Sequence, residues 1–261
     1  MNPVNVSQSE EPIILGQPHG GTYVPPDVWA ALNDNGKLLA DTDWHIGQVY
    51  DALLPSATVV AATFHRYVID ANRDPQGGSF YPGQNTTGLC PLTDFDGVPL
   101  YHSGQEPDAA QTEHRRVEFH APYHVALAAE VARVKAKHGF AIIFDCHSIR
   151  SHIPFLFEGT LPNLNIGTDN GKTCASAIEK IANNIAKTSS FTSVLNGRFR
   201  GGWTTRHYGK PDENVHAIQM EVTQSTYLIT EAAPWNISNT KATELRAVLQ
   251  NILTNLERFR P

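Results

Sequence analysis

The chain has 261 residues, with apolar and charged fractions of 41% and 18%, a formal net charge of −6 at pH 7 and a pI near 6.0. That length allows a sizeable core, and the acidic balance argues against nucleic acid or an anionic membrane as the main partner. No run approaches the roughly 18 apolar residues of a membrane span, and the N-terminal MNPVNVSQSEEP lacks the basic start and apolar stretch of a secretory signal, so a soluble cytoplasmic protein is expected.

In chain order, Pro12-Ile13-Ile14-Leu15 predicts a short strand that breaks at Gly16-Gln17-Pro18-His19-Gly20-Gly21. Residues 27–54 carry helical patterning. Residues 58–62 and 67–70 predict two strands, paired as a hairpin around Phe64 and His65. Residues 72–107 are rich in Gly, Pro, Asn, Asp and Thr, and a loop of that length inside a domain is usually a lid or a substrate-binding wall. From residue 113 to 137, Val117, Tyr123, Leu127, Val131 and Val134 recur at helical spacing, predicting one amphipathic helix that restarts near Pro122. It leads into a buried strand over 140–144 and a glycine-rich loop. A helix over 174–187, strands at 193–195 and 216–222, and a closing helix over 240–258 complete the chain. Strands alternating with helices, with no linker or repeat, specify one α/β domain over 1–261 with a mixed, largely parallel sheet flanked by helices.

Cys90, Cys146 and Cys174 are too widely spaced for a disulfide framework or a zinc knuckle, so reduced, mostly buried thiols are expected. Of the twelve histidines, His114, His120, His124 and His138 fall in or beside the long helix and read as packing or surface residues. His19 and His147, then His45, His207 and His216, lie at turns and strand ends, where chemistry is more often placed.

Phe144-Asp145-Cys146-His147-Ser148 begins where the buried strand should end, and ligands of open α/β sheets bind at carboxyl ends of strands. His147 is thus a candidate metal ligand or proton carrier oriented by Asp145, or else a core histidine satisfied by a hydrogen bond; Cys146 should face away from it. Pro18-His19-Gly20-Gly21 places a histidine where glycines let a ligand approach closely, and a structural turn would not need that histidine. Asp41-Thr42-Asp43-Trp44-His45 offers carboxylates for a divalent ion, or simply helix caps. Asn72-Arg73 can fork onto a substrate carboxylate, against a structural Arg–Asp pair as the alternative. Gly201 to Gly209 is a turn-rich segment holding Arg206, His207 and Tyr208. Glu221, within an apolar strand, is costly to bury unless it is paired, metal-bound or used as a base with a raised pKa.

Taken in order between about residues 12 and 230, PHGGTYVP, DTDWH, RYVIDANRDP, FDCHS, LNIGTDNGKTC, GGWTTRHYGKP and HAIQMEVTQSTYL resemble the N-formylglutamate amidohydrolase family. That resemblance implies removal of formate from N-formylglutamate, as the last step of one histidine-degradation route. It also implies distant kinship with zinc carboxypeptidases and deacylases of acidic acyl-amino acids, and hence a zinc-carboxypeptidase-like (phosphorylase/hydrolase-like) fold. On that pattern His19 and His147 are the two histidine ligands of one divalent ion, zinc first, with cobalt, nickel or manganese as alternatives. Thr22 stands where the pattern has its acid, so Asp43 is the expected third ligand, with Asp41 behind it. Asn72, Arg73 and Arg206 are matched to substrate carboxylates and Glu221 to the general base. Two other readings stay open: a deacylase or peptidase for another N-acyl acidic amino acid, and a non-catalytic dicarboxylate-binding protein.

Overall fold

The structure is a computed structural model that describes residues 1–78 and 83–261. Seven strands form one mixed sheet: β1 (Val4–Ser7), β2 (Ile13–Gln17), β3 (Thr58–Ala62), β4 (Ala141–Ile149), β5 (Leu164–Gly167), β6 (Ser193–Leu195) and β7 (Val215–Thr223), in the order β1-β3-β2-β4-β7-β5-β6. The central four, β3, β2, β4 and β7, are parallel. β1 and β5 join them antiparallel, and β6 runs parallel to β5. β2, β4 and β7 are buried along their whole length, as their continuous apolar runs require in a sheet covered on both faces.

Alternation along the central strands assigns each residue to a layer. Ile142, Phe144 and Cys146 of β4, with Ile218, Met220 and Val222 of β7, pack under helices α2 (Ile46–Tyr50), α5 (Ser176–Thr188) and α7 (Asn239–Glu257). Ile14, Ala141, Ile143 and Ala217 face the other way, against Tyr123, Leu127, Val131 and Val134 of α4 (Ala121–His138). The same two-residue period carries Asp145 and His147, with Gln219 and Glu221 beside them in register, onto the α4 side at the carboxyl ends of their strands. Cys146 lies in the opposite layer, and all three cysteines are free thiols.

Several local expectations changed. Residues 67–70 form no strand. Their backbone pairs with turns and a loop instead, with Val68 N–H donating to His65 O at 2.9 Å and Asp70 N–H to Leu89 O at 2.7 Å. β1 takes the place beside β3 that the hairpin would have filled. The helical pattern over 27–54 breaks into α1 (Pro26–Ala31) and α2, with turns between them that hold Asp41 to His45. The long helix starts earlier, as α3 (Ala109–Arg115) behind a capping box made by Asp108 and Gln111, and passes through a π turn (Arg116–His120) into α4. Trp203 to Tyr208, read as turn-rich, is helix α6 (Trp203–Tyr208), whose free Thr204 N–H is taken by the side chain of distant Asn72 at 2.8 Å. The long loop expected over 72–107 includes residues 79–82, which lie outside the described residues. Among the described residues no helix is long and apolar enough to cross a membrane.

Leu249 of α7 is fully buried in the layer remote from His147. Leu249→Ala should cost about 2–5 kcal/mol of stability through lost burial and a residual cavity, read as a lower denaturant midpoint, with metal stoichiometry unchanged.

Candidate active site

Three chain segments meet at the carboxyl ends of the parallel strands. His19 lies two residues past β2, His147 lies near the end of β4, and Asp43 sits in the turns before α2. The loops of His19 and Asp43 are tied by Asp43 N–H donating to His19 O at 3.1 Å, and Ser148 N–H donates to Asp43 Oδ2 at 3.1 Å. All three side chains are buried.

Their ligand atoms converge. His19 Nδ1 and His147 Nδ1 are 3.1 Å apart, and Asp43 Oδ2 lies 3.3 Å from the latter and 3.8 Å from the former. On its far side each ring meets another carboxylate: His19 Nε2 is 2.6 Å from Asp70 Oδ1, and His147 Nε2 is 3.2 Å from Asp145 Oδ2. The carboxylate behind His19 fixes its proton on Nε2 and leaves Nδ1 to a cation, while His147 Nε2 is shared between Asp145 and Asn72, whose Nδ2 lies 3.1 Å away. Among the described residues, His19, Asp43 and His147 form a group able to hold a metal ion, with ligand atoms within 4.8 Å of one another.

The electrostatics point the same way. Burial and the Arg66 guanidinium lower the pKa of His19 despite Asp70, so its Nδ1 carries a lone pair. Burial also opposes charge on His147, but Asp145 and Asp43 outweigh it and push its pKa well above the ordinary value. The resulting Nδ1–H of His147 points between His19 Nδ1 and Asp43, so a proton occupies the position that suits a cation. Asp70 is held well below the usual carboxylate range: burial works against its charge, but the His19 N–H that it accepts and the Arg66 and Arg73 guanidinium groups prevail. Burial raises Glu221 to about 8, with His147 pulling down and Asp43 pushing up.

A cavity opens from this group. His19, His147, Gln219 and Glu221 line its inner side, Arg66, Asn72, Arg73 and Arg198 add polar and cationic groups, and Phe95, Ile149, Leu156 and Phe199 supply an apolar wall. Gln219 Nε2 donates to Glu221 Oε2 at 3.3 Å, while Gln219 Oε1 accepts from Gly202 N–H at 2.7 Å. Arg73 Nε donates to Thr87 O at 2.9 Å, and its Nη1 lies 3.7 Å from Asp70. Gly202 is required where it stands, because a Cβ there would meet the Asn72 side chain at 2.4 Å.

His19, Asp43, His147, Glu221, Asn72 and Arg73 therefore come together, and Arg206 does not. Arg206 is absent from the cavity lining; its guanidinium pairs with Asp169 at 2.9 Å and donates to Gly201 O at 2.8 Å, because the helical turn of α6 points it toward that loop. Asp41 also turns away, accepting from Tyr67 O–H at 2.8 Å and Phe95 N–H at 2.9 Å. His45 bonds Trp235 O at 2.8 Å, His207 stacks on Trp203, and His216 Nδ1 accepts from Ala175 N–H. Residues that sequence reasoning did not single out include Arg66, whose Nη2 donates to Asp70 Oδ2 at 2.8 Å, Arg198 and Gln219. Asp70 stood in a motif already noted, but its role behind His19 needed the fold.

A model of the family described as N-formylglutamate amidohydrolase matches residues 11–228. An N-formylglutamate deformylase of Pseudomonas aeruginosa is 43% identical over 247 residues, 94% of this chain and 92% of that protein. One from Pseudomonas putida is 41% identical over 251 residues, covering 95% and 93%. The crystal structure of an N-formylglutamate amidohydrolase from Ralstonia eutropha JMP134 superposes with a TM-score of 0.82 at 23% identity, covering 98% of this chain and 97% of that one. The family pattern spans most of the sequence, and both Pseudomonas proteins match nearly end to end; the chain belongs to the N-formylglutamate amidohydrolase family.

Proposed function

We propose that this protein hydrolyses N-formylglutamate to glutamate and formate, as a cytoplasmic step of histidine breakdown, with one divalent metal ion, zinc first, held by His19, Asp43 and His147. The observation that supports it most is the convergence of the two Nδ1 atoms and Asp43 Oδ2 beside Glu221 on the neighbouring strand. Two imidazoles and a carboxylate are a donor set that suits zinc and leaves a position open.

When bound, a divalent ion supplies Lewis acidity, polarising a carbonyl oxygen and lowering the pKa of water. Glu221 takes a proton from the attacking water as oxygen bonds to the formyl carbon. It then gives that proton to the amide nitrogen as the C–N bond breaks, releasing the amine and formic acid, which ionises to formate. A carboxyl with a pKa of about 8 is protonated at pH 7, so Glu221 acts as a base only with a cation nearby to favour its charged form. Gln219 steadies it by donating to Oε2. Arg73, with Asn72 next to it, takes one substrate carboxylate. Arg198, which lines the cavity, replaces Arg206 as the group for the second. Holding both carboxylates aligns the formamide toward the metal side and contributes by orientation.

Glu221→Gln removes the base while keeping size and hydrogen bonding. The variant should retain its fold and full zinc content while kcat falls by about 10²–10⁴-fold; near-normal formate release would exclude the role. Formate, acetate and succinate release from the corresponding N-acylglutamates should differ, with formate strongly preferred.

Metal loading should also depend on pH. His147, with its raised pKa, is protonated at pH 7 in the metal-free protein and must lose the Nδ1 proton to bind a cation. Affinity therefore weakens as pH falls and strengthens as pH rises through that pKa. Zinc titrated at pH 7 into chelator-treated protein, in buffers of different ionisation enthalpy, should release about one proton or more per ion. Release of none would contradict this assignment.

A further inference from the structure

Ala71, Asn72 and Arg73 carry two of the cavity's polar side chains but lie in no helix or strand. Their backbone is held instead by the helical layer behind them. His124 Nε2 lies 2.7 Å from Ala71 O, His120 Nε2 lies 3.0 Å from Arg73 O, and Arg115 Nη1 lies 3.2 Å from Val68 O. Carbonyl oxygens only accept, so both imidazoles carry their proton on Nε2. His124 Nδ1 is then an acceptor, and Tyr208 O–H lies 3.1 Å from it.

The π turn over Arg116–His120 makes this grip possible. Residues five apart in an α-helix are separated by about 140° around the axis, so Arg115 and His120 would not both face one loop. The wider π turn closes that angle. His124, one helical turn beyond His120, continues the same face, and the two rings stand 4.5 Å apart. Trp203 packs on both, with ring centroids 5.6 and 4.5 Å away. It opens α6, whose Thr204 N–H holds Asn72 Oδ1. Asn72 is thus held by its flanking carbonyls and by both ends of its amide, Oδ1 on Thr204 N–H and Nδ2 3.1 Å from His147 Nε2.

We infer that His120 and His124 are positioning residues for substrate binding, fixing the carbonyls on either side of Asn72 and so setting where Asn72 and Arg73 present their side chains to the cavity. This rests on Arg73 as a substrate-carboxylate group. The histidines touch neither substrate nor metal; they act through the peptide they hold. Glutamine can place its amide nitrogen near the position of imidazole Nε2, whereas leucine fills space without a donor.

The test compares H120L, H120Q, H124L and H124Q with R73Q, measuring kcat and KM for N-formylglutamate, zinc content and denaturant midpoint in each. The leucine variants should raise KM by about 10-fold, the scale of one lost hydrogen bond, with kcat within about threefold and full zinc content, and the glutamine variants should restore KM. An unchanged KM in the leucine variants, or equal KM values for leucine and glutamine at each site, would overturn the inference even if stability fell. If H124L does not fold, the H120L and H120Q pair decides. R73Q separates the two ideas: a normal KM there removes the underlying reading of Arg73, whereas a raised KM with normal leucine variants removes only the histidine role.

Discussion

Asp43, Asp70, Asp145 and Glu221 are buried together at the ends of adjacent parallel strands, and Arg66 is a fully charged cation buried among them. Burying an unpaired carboxylate costs several kcal/mol, so this concentration of acid needs compensating positive charge. In the metal-free protein, protons do that work. His147 keeps one because Asp145 and Asp43 outweigh burial, and Glu221 keeps its own up to about 8. A divalent ion at the two Nδ1 atoms would replace both, turning His147 into a ligand and Glu221 into a base. On the proposed function, metal binding and activation of the base would then be one electrostatic event.

The fold creates this concentration by a simple device. Period-two alternation gives the α4 face of β4 and β7 apolar side chains only at its start, Ala141, Ile143, Val215 and Ala217, and then substitutes Asp145, His147, Gln219 and Glu221 toward the carboxyl ends. The opposite face stays apolar through Cys146, Met220 and Val222, so the strands remain anchored in the core beneath the polar cluster. Loops from β2, the turns before α2 and the segment after β3 then bring His19, Asp43, Arg66 and Asp70 over that face. Their mutual hydrogen bonds stand in for regular secondary structure.

Legibility in the sequence followed the range of the interactions involved. The buried strands of β2, β4 and β7 and the long C-terminal helix were readable, because local hydrophobic pattern decides them. His19, His147 and Glu221 were readable as candidates because polar residues at strand ends and in apolar runs conflict with that pattern. Residues 67–70 looked like a strand, but Asp70 is drawn to His19 and Arg66, and the backbone follows that long-range pull. Arg206 looked like a substrate contact because its motif is rich in chemistry; the turn of α6 that sends it to Asp169 depends on the tertiary cap from Asn72. His120 and His124 read as ordinary packing residues, since no local signal marks a π turn or the carbonyls it serves.

The most direct measurement is anomalous diffraction at the zinc edge from crystals of the zinc-loaded protein. One strong peak is expected about 2.0–2.2 Å from His19 Nδ1, His147 Nδ1 and a carboxylate oxygen of Asp43, in a protein that releases formate from N-formylglutamate only when so loaded. A peak coordinated by other residues, or full activity with that position empty, would contradict the proposed site.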